Sequence, residues 1–465
     1  MFKGRLADRI VGILLTAITI LFICREWGIA SWPGAMKPYL VIVVIAFFAM
    51  QVRASRKAFI AVAAALTVAL ALTQGDWQAT TIRALESAGF IAAFFSALST
   101  LRNVAQTSPA IQQAGRFLSE QRPGRRYAAL TLGGQGFALL LNYGAIQLLG
   151  ALALANASAE PNAEIRGHRI RRMLLAIQRA FVSTLPWSPL SFAVAISTTV
   201  VPGTSWAQAV VPGLVTSALV AGIGWGLDTA FKPKLSAPPP QRRDPSGSWA
   251  VMTPLLILLG LLVSSVTILH FLTDVRVIGL VTLIVPTIAV GWLFIQNRGP
   301  GGLGAITARL RDYVVTELPG YRSELTLLMM AGYIGTVGSA LLVPLIARAG
   351  LDVAALPTWL ILLALVWIIP LAGQAGMNPI LAVTLLAPLV PDAATLGIDP
   401  VALVVAITAG WVLSGITSPF TATTLLIGSF AGISAQKVGL VWNGAYALIC
   451  AVTLSIWVLV YAFLF

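Results

Sequence analysis

Three segments, Ala250–Phe271, Val275–Ile295 and Ala445–Phe465, are each apolar and long enough to cross the hydrocarbon of a bilayer, which takes about 20 helical residues. Apolar residues make up 58% of the chain and charged residues only 10%. Soluble domains carry about 25% charged residues, so a water-soluble core cannot absorb this much apolar surface. A transmembrane barrel would show shorter segments of alternating polarity. The chain is therefore expected to be an all-α polytopic membrane protein. Met1–Ile23 has Lys3, Arg5 and Arg9 before an apolar run. It lacks a small-residue cleavage site before Arg25 and Glu26, so it is taken as a first span. Cys24 and Cys450 lie in or beside apolar runs and offer neither a disulfide framework nor metal spacing.

The net charge of +14 does not mark a nucleic-acid binder. The basic residues collect in short clusters between spans, where the positive-inside rule expects them. Spans are read near 10–24, 36–51, 57–73, 84–104, 173–201, 208–231, 250–271, 275–295, 322–347, 401–431 and 441–465. Two further apolar stretches, 128–157 and 357–391, are interrupted midway by glycine and polar residues. Basic clusters occur at 3–9, 53–57, 116–126, 166–172, 232–243 and 298–311, whereas Asp392 and Asp399 share a connection without basic residues. With the N-terminus inside and the C-terminus outside a cytoplasmic (inner) membrane, about eleven spans put every basic cluster inside. That count holds only if 128–157 and 357–391 each enter and return to the same side, as two opposed re-entrant hairpins.

The two halves resemble each other. Asn142 in ALLLNYGAIQLLGAL is matched by Asn378 in AGQAGMNPILAVTLL. Pro189 of Trp-Ser-Pro is matched by Pro419 of Thr-Ser-Pro, and Glu86 by Glu324. The motifs recur in the same order at nearly constant spacing. An odd number of spans between them makes the repeat inverted. The expected organisation is N-terminal scaffold helices over 1–83, a first repeat over 84–231, a proline-rich cytoplasmic linker over 232–249, scaffold helices and a loop over 250–321, and a second repeat over 322–465.

Helix breaks inside a bilayer need a reason. Backbone N–H and C=O groups freed there must be paired, so unwound chain persists only against protein, a cavity or a ligand. Gly373, Gly376 and Pro379 are expected to open the second hairpin, with Gln374 and Asn378 supplying amides. Gly133, Gly134, Gly136, Asn142 and Gly144 are expected to do the same in the first. Ser188-Pro189 and Ser418-Pro419 break the following span of each half, and Thr184, Thr417, Thr421, Thr423 and Thr424 add hydroxyls. Singly, each of these is an ordinary kink former; the matched pairs point to a central site of a secondary transporter. Amide and hydroxyl oxygens form a hard donor set that suits an alkali cation.

This organisation resembles the ion transporter superfamily, most closely the divalent anion/Na⁺ symporter family. Members carry a Ser-Asn-Thr signature at each hairpin tip; here the tips read Leu141-Asn142-Tyr143 and Met377-Asn378-Pro379. The asparagines match, and the flanking serine and threonine do not. The resemblance implies a homodimer with elevator-like alternating access and Na⁺ beside each tip, on Asn142, Ser188, Gln374, Gly376, Asn378, Thr417 and Ser418. It implies an anionic substrate between the tips, near Asn142, Tyr143, Gly144, Trp187, Ser188, Asn378, Pro379, Ser418 and Thr421. The bulk of Tyr143 and Trp187 suggests a pocket for an aromatic or short-chain monocarboxylate. An exporter of a metalloid, lipid-linked or other compound on the same fold is the alternative.

Other classes fit less well. No Asp or Glu is expected mid-span; Glu86, Asp228 and Glu324 fall near span ends, which argues against a carboxylate proton carrier. His270 reads as interfacial. Arg179, well inside a span, reads as snorkelling to the cytoplasmic face, with contact to an anionic substrate as the alternative. Two histidines, short external loops and the absence of a GKS or GKT step leave no membrane-enzyme centre and no P-loop. No cofactor is expected.

Overall fold

The structure is a computed structural model that describes residues 2–29, 32–233, 235–236, 247–299, 301–350 and 352–465. The centre of the expected linker, 237–246, lies outside the described residues. In chain order the α-helices are α1 (Phe2–Glu26), α2 (Trp32–Gln51), α3 (Ala54–Thr73), α4 (Trp77–Gln106), α5 (Pro109–Ser119), α6 (Pro123–Leu141) and α7 (Tyr143–Ser158). They continue as α8 (Ala163–Thr184), α9 (Phe192–Val200), α10 (Trp206–Ala230), α11 (Thr253–Leu272), α12 (Val277–Gln296), α13 (Gly302–Asp312) and α14 (Leu318–Gly320). The remainder are α15 (Arg322–Arg348), α16 (Thr358–Gln374), α17 (Pro379–Leu386), α18 (Ala393–Leu396), α19 (Pro400–Thr417), α20 (Ala422–Ala431) and α21 (Gly444–Leu464).

Among the described residues, 9 helical segments are long and apolar enough to cross a membrane. The remaining expected spans are α2, whose apolar part is Met36–Gln51, and the broken pair α8–α9. The chain is thus an all-α polytopic membrane protein in which α6 and α7 pack as a helical hairpin, a turn joins α16 to α17, and a broken span follows each pair.

Two compact units form. Unit 1 comprises residues 1–104, 262–355 and 380–391; unit 2 comprises 105–261, 356–379 and 392–465. In unit 1, ion pairs fasten helix ends where water is near: Arg25 to Glu86 at 2.6 Å, Arg276 to Glu26 and Arg322 to Asp8. Glu86 lies in the third turn of α4, because that helix begins at Trp77, before the expected start. Deeper, polar groups pair with one another, as hydrophobic burial demands. The Tyr313 hydroxyl donates to the Ser96 carbonyl, and Thr67 meets Tyr333 at 2.8 Å. The α17 arm packs on α15 through Thr384 against Gly335.

Unit 2 repeats one arrangement in each half. Hairpin arms α6 and α7 pack on broken helix α8; arm α16 packs on broken helix α19. The hairpins turn differently. The second follows the expectation at Gly376 and Pro379 but not at Gly373, which stays inside α16 and packs against Ser414: Gly376 has φ 93°, Met377 N–H donates to the Ala372 carbonyl at 3.0 Å, and Gly376 N–H donates to the Gly373 carbonyl. This is the Schellman ending that glycine favours after a helix, and Pro379 then starts α17. In the first hairpin the glycine run does not open the helix. Gly133, Gly134 and Gly136 lie inside α6, where a Cβ at Gly134 would stand 2.9 Å from Ala180 and one at Gly133 would meet Leu118. They bring helices close together while the backbone ladder continues. Gly144 sits buried in the first turn of α7.

Asn142 alone makes the first turn, at φ 50°, ψ −132°. Among described non-glycine residues it is the one with positive φ. Its Oδ1 accepts from Tyr143 N–H at 2.8 Å, capping α7. A non-glycine residue in such a region costs about 1–3 kcal/mol, partly offset by a cap of about 1 kcal/mol. Asn142→Ala loses the cap and keeps the strain, so it should lower stability by about 1 kcal/mol or more. Asn142→Gly loses the cap and relieves the strain, so it should be near neutral. Thermal unfolding of the two variants in detergent checks the order; equal loss in both would refute it.

Candidate functional site

The breaks of unit 2 are built from short-range turn chemistry. In the first half α8 ends at Thr184 and α9 begins after Ser191. Pro186 and Pro189 cannot donate, so the ladder lapses. Ser188, 2% exposed, accepts from Leu190 N–H through Oγ, and its own N–H donates to Thr184. Ser191 Oγ donates to the Leu185 carbonyl at 2.8 Å, and Trp206 Nε1 donates to the Trp187 carbonyl.

In the second half α19 stops at Thr417 and α20 starts after Thr421. Hydroxyls thread this break. Thr423 donates to the Gly415 carbonyl at 2.6 Å, and Thr424 and Thr421 both donate to Ser418. Thr417 turns back to Leu413. Ser418 Oγ donates to the Gly373 carbonyl at 2.7 Å, which ties the break to the last turn of α16, one residue before Gln374. A hydroxyl that gives its proton to a carbonyl leaves oxygen lone pairs for a cation.

The two breaks meet through α8. The side-chain amide of Gln178 donates to the carbonyls of Gly415 and Ile416 at 3.4 and 3.3 Å, and a Cβ at Gly415 would touch Val182. Asn443 donates to Gln178 Oε1 at 2.9 Å, and Arg179 donates to Asn443 Oδ1. Arg179 is 6% exposed and does not snorkel. Its guanidinium lies 4.0 Å from the Tyr446 ring centroid and donates to the Tyr127 hydroxyl and the Gly224 carbonyl. Aromatic faces and carbonyls hold the charge there, so it positions α8 against α10 and α21. Gln178 and Asn443 were not foreseen. The signal was a lone amide in each apolar run, overshadowed at Gln178 by the neighbouring Arg179.

Two buried polar atoms at the breaks have no partner. Trp187 Nε1 stands at the first break, and Ser414 Oγ, with Ser414 0% exposed, lies one turn before Ser418 and faces Gly373. Unpaired buried donors are uncommon and call for an explanation, an unfilled ligand site among them. Tyr143 stacks on Phe181 at 4.8 Å, which places the first tip beside the helix that carries its break. At the second tip, Asn378 precedes Pro379, and a Cβ at Gly376 would come 3.8 Å from Phe420. Among the described residues no three His, Cys, Asp or Glu side chains gather, so the donors on offer are hydroxyls, amides and an indole.

No family model and no curated protein matches the chain. Its fold is similar to those of solved structures, including the following two. One is the YdaH transporter of Alcanivorax borkumensis, with TM-score 0.54 and 16% identity over 87% of this chain and 98% of that one. The other is MtrF of Neisseria gonorrhoeae, described within a class of antimetabolite efflux pumps, with TM-score 0.52 and 12% identity over 89% of this chain and 96% of that one. The likeness extends across nearly the whole of both chains and shows the fold.

A glycine backs each break. A Cβ at Gly213 would overlap the Pro186 carbonyl, and one at Gly439 would overlap the Thr417 carbonyl. Gly222, on the same helix as Gly213, faces open space. Gly213→Ala and Gly439→Ala should each cost about 1–3 kcal/mol through overpacking. Gly222→Ala should be neutral or gain up to about 1 kcal/mol from helix propensity. Thermal unfolding of the three variants tests this, and equal effects would contradict it.

Proposed function

We propose that the chain is a secondary active transporter, not an enzyme, that moves a small organic anion across the cytoplasmic membrane with Na⁺ as the coupling ion. The observation that carries this reading is the pair of unpartnered buried groups, Ser414 Oγ and Trp187 Nε1, one at each helix break of unit 2. Broken spans are where transporters hold ions and substrates near the midplane, and here hydroxyl and amide side chains line the breaks. In this reading Na⁺ takes lone pairs from Ser414, Ser418 and Thr421, with Asn378, Gln374, Gly376 and Thr417 around the second tip. Asn142 and Ser188 serve the first. The indole N–H of Trp187 offers a hydrogen bond to the anion, and Tyr143, Gly144 and Pro379 shape its pocket. The matched halves support an elevator-like movement in a homodimer, as in the divalent anion/Na⁺ symporter family.

Export on the same scaffold is the second reading. It is favoured by the likeness to a structure described among antimetabolite efflux pumps. The coupled gradients, rather than the site, set the direction of a reversible carrier.

The test is gradient-driven uptake and counterflow in proteoliposomes, with labelled monocarboxylates, dicarboxylates and aromatic acids under Na⁺, K⁺ or pH gradients. Na⁺-stimulated flux of an acid should fall at least about tenfold in Asn378→Ala and Ser414→Ala, a loss of about 1.4 kcal/mol. Absence of flux for every acid from folded protein would overturn the anion reading. Flux driven equally by K⁺ or protons would overturn Na⁺ coupling.

A further inference from the structure

Unit 2 has a second polar feature, away from the breaks. A cavity of about 150 Å³ opens between the starts of α6 and α8, and its lining includes the basic Arg126, Arg169 and Arg172 and the apolar Leu130, Ile165 and Met173. Three guanidinium groups meet two carboxylates. Arg172 is bound in a fork by Asp228 at 2.8 and 2.6 Å, and Arg169 by Glu160 at 3.1 Å. Arg126 donates through Nε to the Gln121 carbonyl and has no carboxylate partner among the described residues. Burial, followed by the charges of Arg169 and Arg172, lowers its pKa to about 10. The cavity therefore holds a surplus, partly desolvated cation.

Its depth is informative. Asp228 lies in the last turn of α10, a segment apolar enough to span a membrane. Arg172, paired with it, and the neighbouring Arg126 and Arg169 thus sit at the level of lipid headgroups, and the apolar lining continues one turn further along each helix: Leu130 follows Arg126 on α6 and is fully buried, and Met173 follows Arg169 on α8 and is nearly so. A basic rim above an apolar wall matches an anion with a hydrocarbon tail better than a free ion. Arginine forks match phosphate oxygens in geometry and charge.

We propose that this cavity binds the phosphate headgroup of an anionic phospholipid, with Arg126 as the group that the phosphate neutralises and the glycerol and acyl portion against Leu130, Ile165 and Met173. The site is separate from the helix breaks and does not depend on the transported compound.

The experiment is native mass spectrometry of the full chain in detergent, titrated separately with phosphatidylglycerol, phosphatidylcholine and inorganic phosphate. Parent, Arg126→Gln and Arg171→Gln are compared. Arg171 is exposed on α8, between Arg169 and Arg172 in sequence, and rests on Trp442, so it controls for loss of charge outside the cavity. The expected result is phosphatidylglycerol binding about tenfold tighter than phosphatidylcholine in the parent and in Arg171→Gln, reduced to the phosphatidylcholine level in Arg126→Gln. Headgroup discrimination by the parent is readable even if Arg126→Gln fails to fold, and Arg126→Lys then replaces it, with partial loss expected. Equal binding of the two lipids, or undiminished preference in the Arg126 variants, would overturn the proposal. Inorganic phosphate that binds as tightly as phosphatidylglycerol and displaces it would overturn the lipid assignment in favour of a free anion.

Discussion

Everything distinctive in unit 2 follows from the demand that a broken helix in hydrocarbon must satisfy its own backbone. Each unsatisfied group there costs several kcal/mol. At the second break that demand falls on threonine and serine: the carbonyls of Gly415 and Ser418 take hydroxyl protons, and Gly373 takes one from Ser418. At the first break Ser191 and Trp206 do the same for Leu185 and Trp187. Where no donor is supplied, a glycine lets a neighbouring backbone close over the carbonyl, as Gly213 does at Pro186 and Gly439 at Thr417. Against this background two buried side-chain donors at the breaks, Ser414 Oγ and Trp187 Nε1, stand without a partner.

The same pairing changes which atoms can serve a cation. Free carbonyls at half-helix ends are the usual expectation for ion binding, yet Gly415, Ile416 and Ser418 have theirs occupied. The oxygens that remain are hydroxyls: those of Ser418, Thr421, Thr423 and Thr424 give their protons to backbone carbonyls, and that of Ser414 has no partner. A weakly held alkali cation suits such neutral donors. The fixed positive charge of Arg179 is contained by Tyr446, Tyr127 and Asn443. It acts through Asn443 and Gln178 as a brace for the crossing of the two broken helices.

Much of this architecture was legible in the sequence because hydrophobic length and proline leave little choice. The broken spans fell at Ser-Pro in both halves, and the second hairpin turned at Gly376 as its Gly-Met-Asn-Pro run suggested. The first hairpin was misread for a physical reason. Glycines in α6 permit close helix packing and do not by themselves end a helix, whereas a single asparagine with a self-capping side chain can. The brace of Gln178 and Asn443 was invisible because it joins residues far apart in the chain. Ser414 was missed because a serine in an apolar run is usually bonded back to its own helix; only the packing of Gly373 against it shows that it faces α16. The start of α4 at Trp77 was hidden by the polar residues of its first turns, which pair at the membrane edge.

The most direct test of the central claim is equilibrium binding of ²²Na⁺ to the purified chain, measured without any transported compound, for the parent, Ser414→Ala and Gly222→Ala. The account predicts saturable Na⁺ binding in the parent and in Gly222→Ala, weakened about tenfold or more in Ser414→Ala, about 1.4 kcal/mol. A parent that binds no Na⁺, or a Ser414→Ala variant that binds as the parent does, would contradict it.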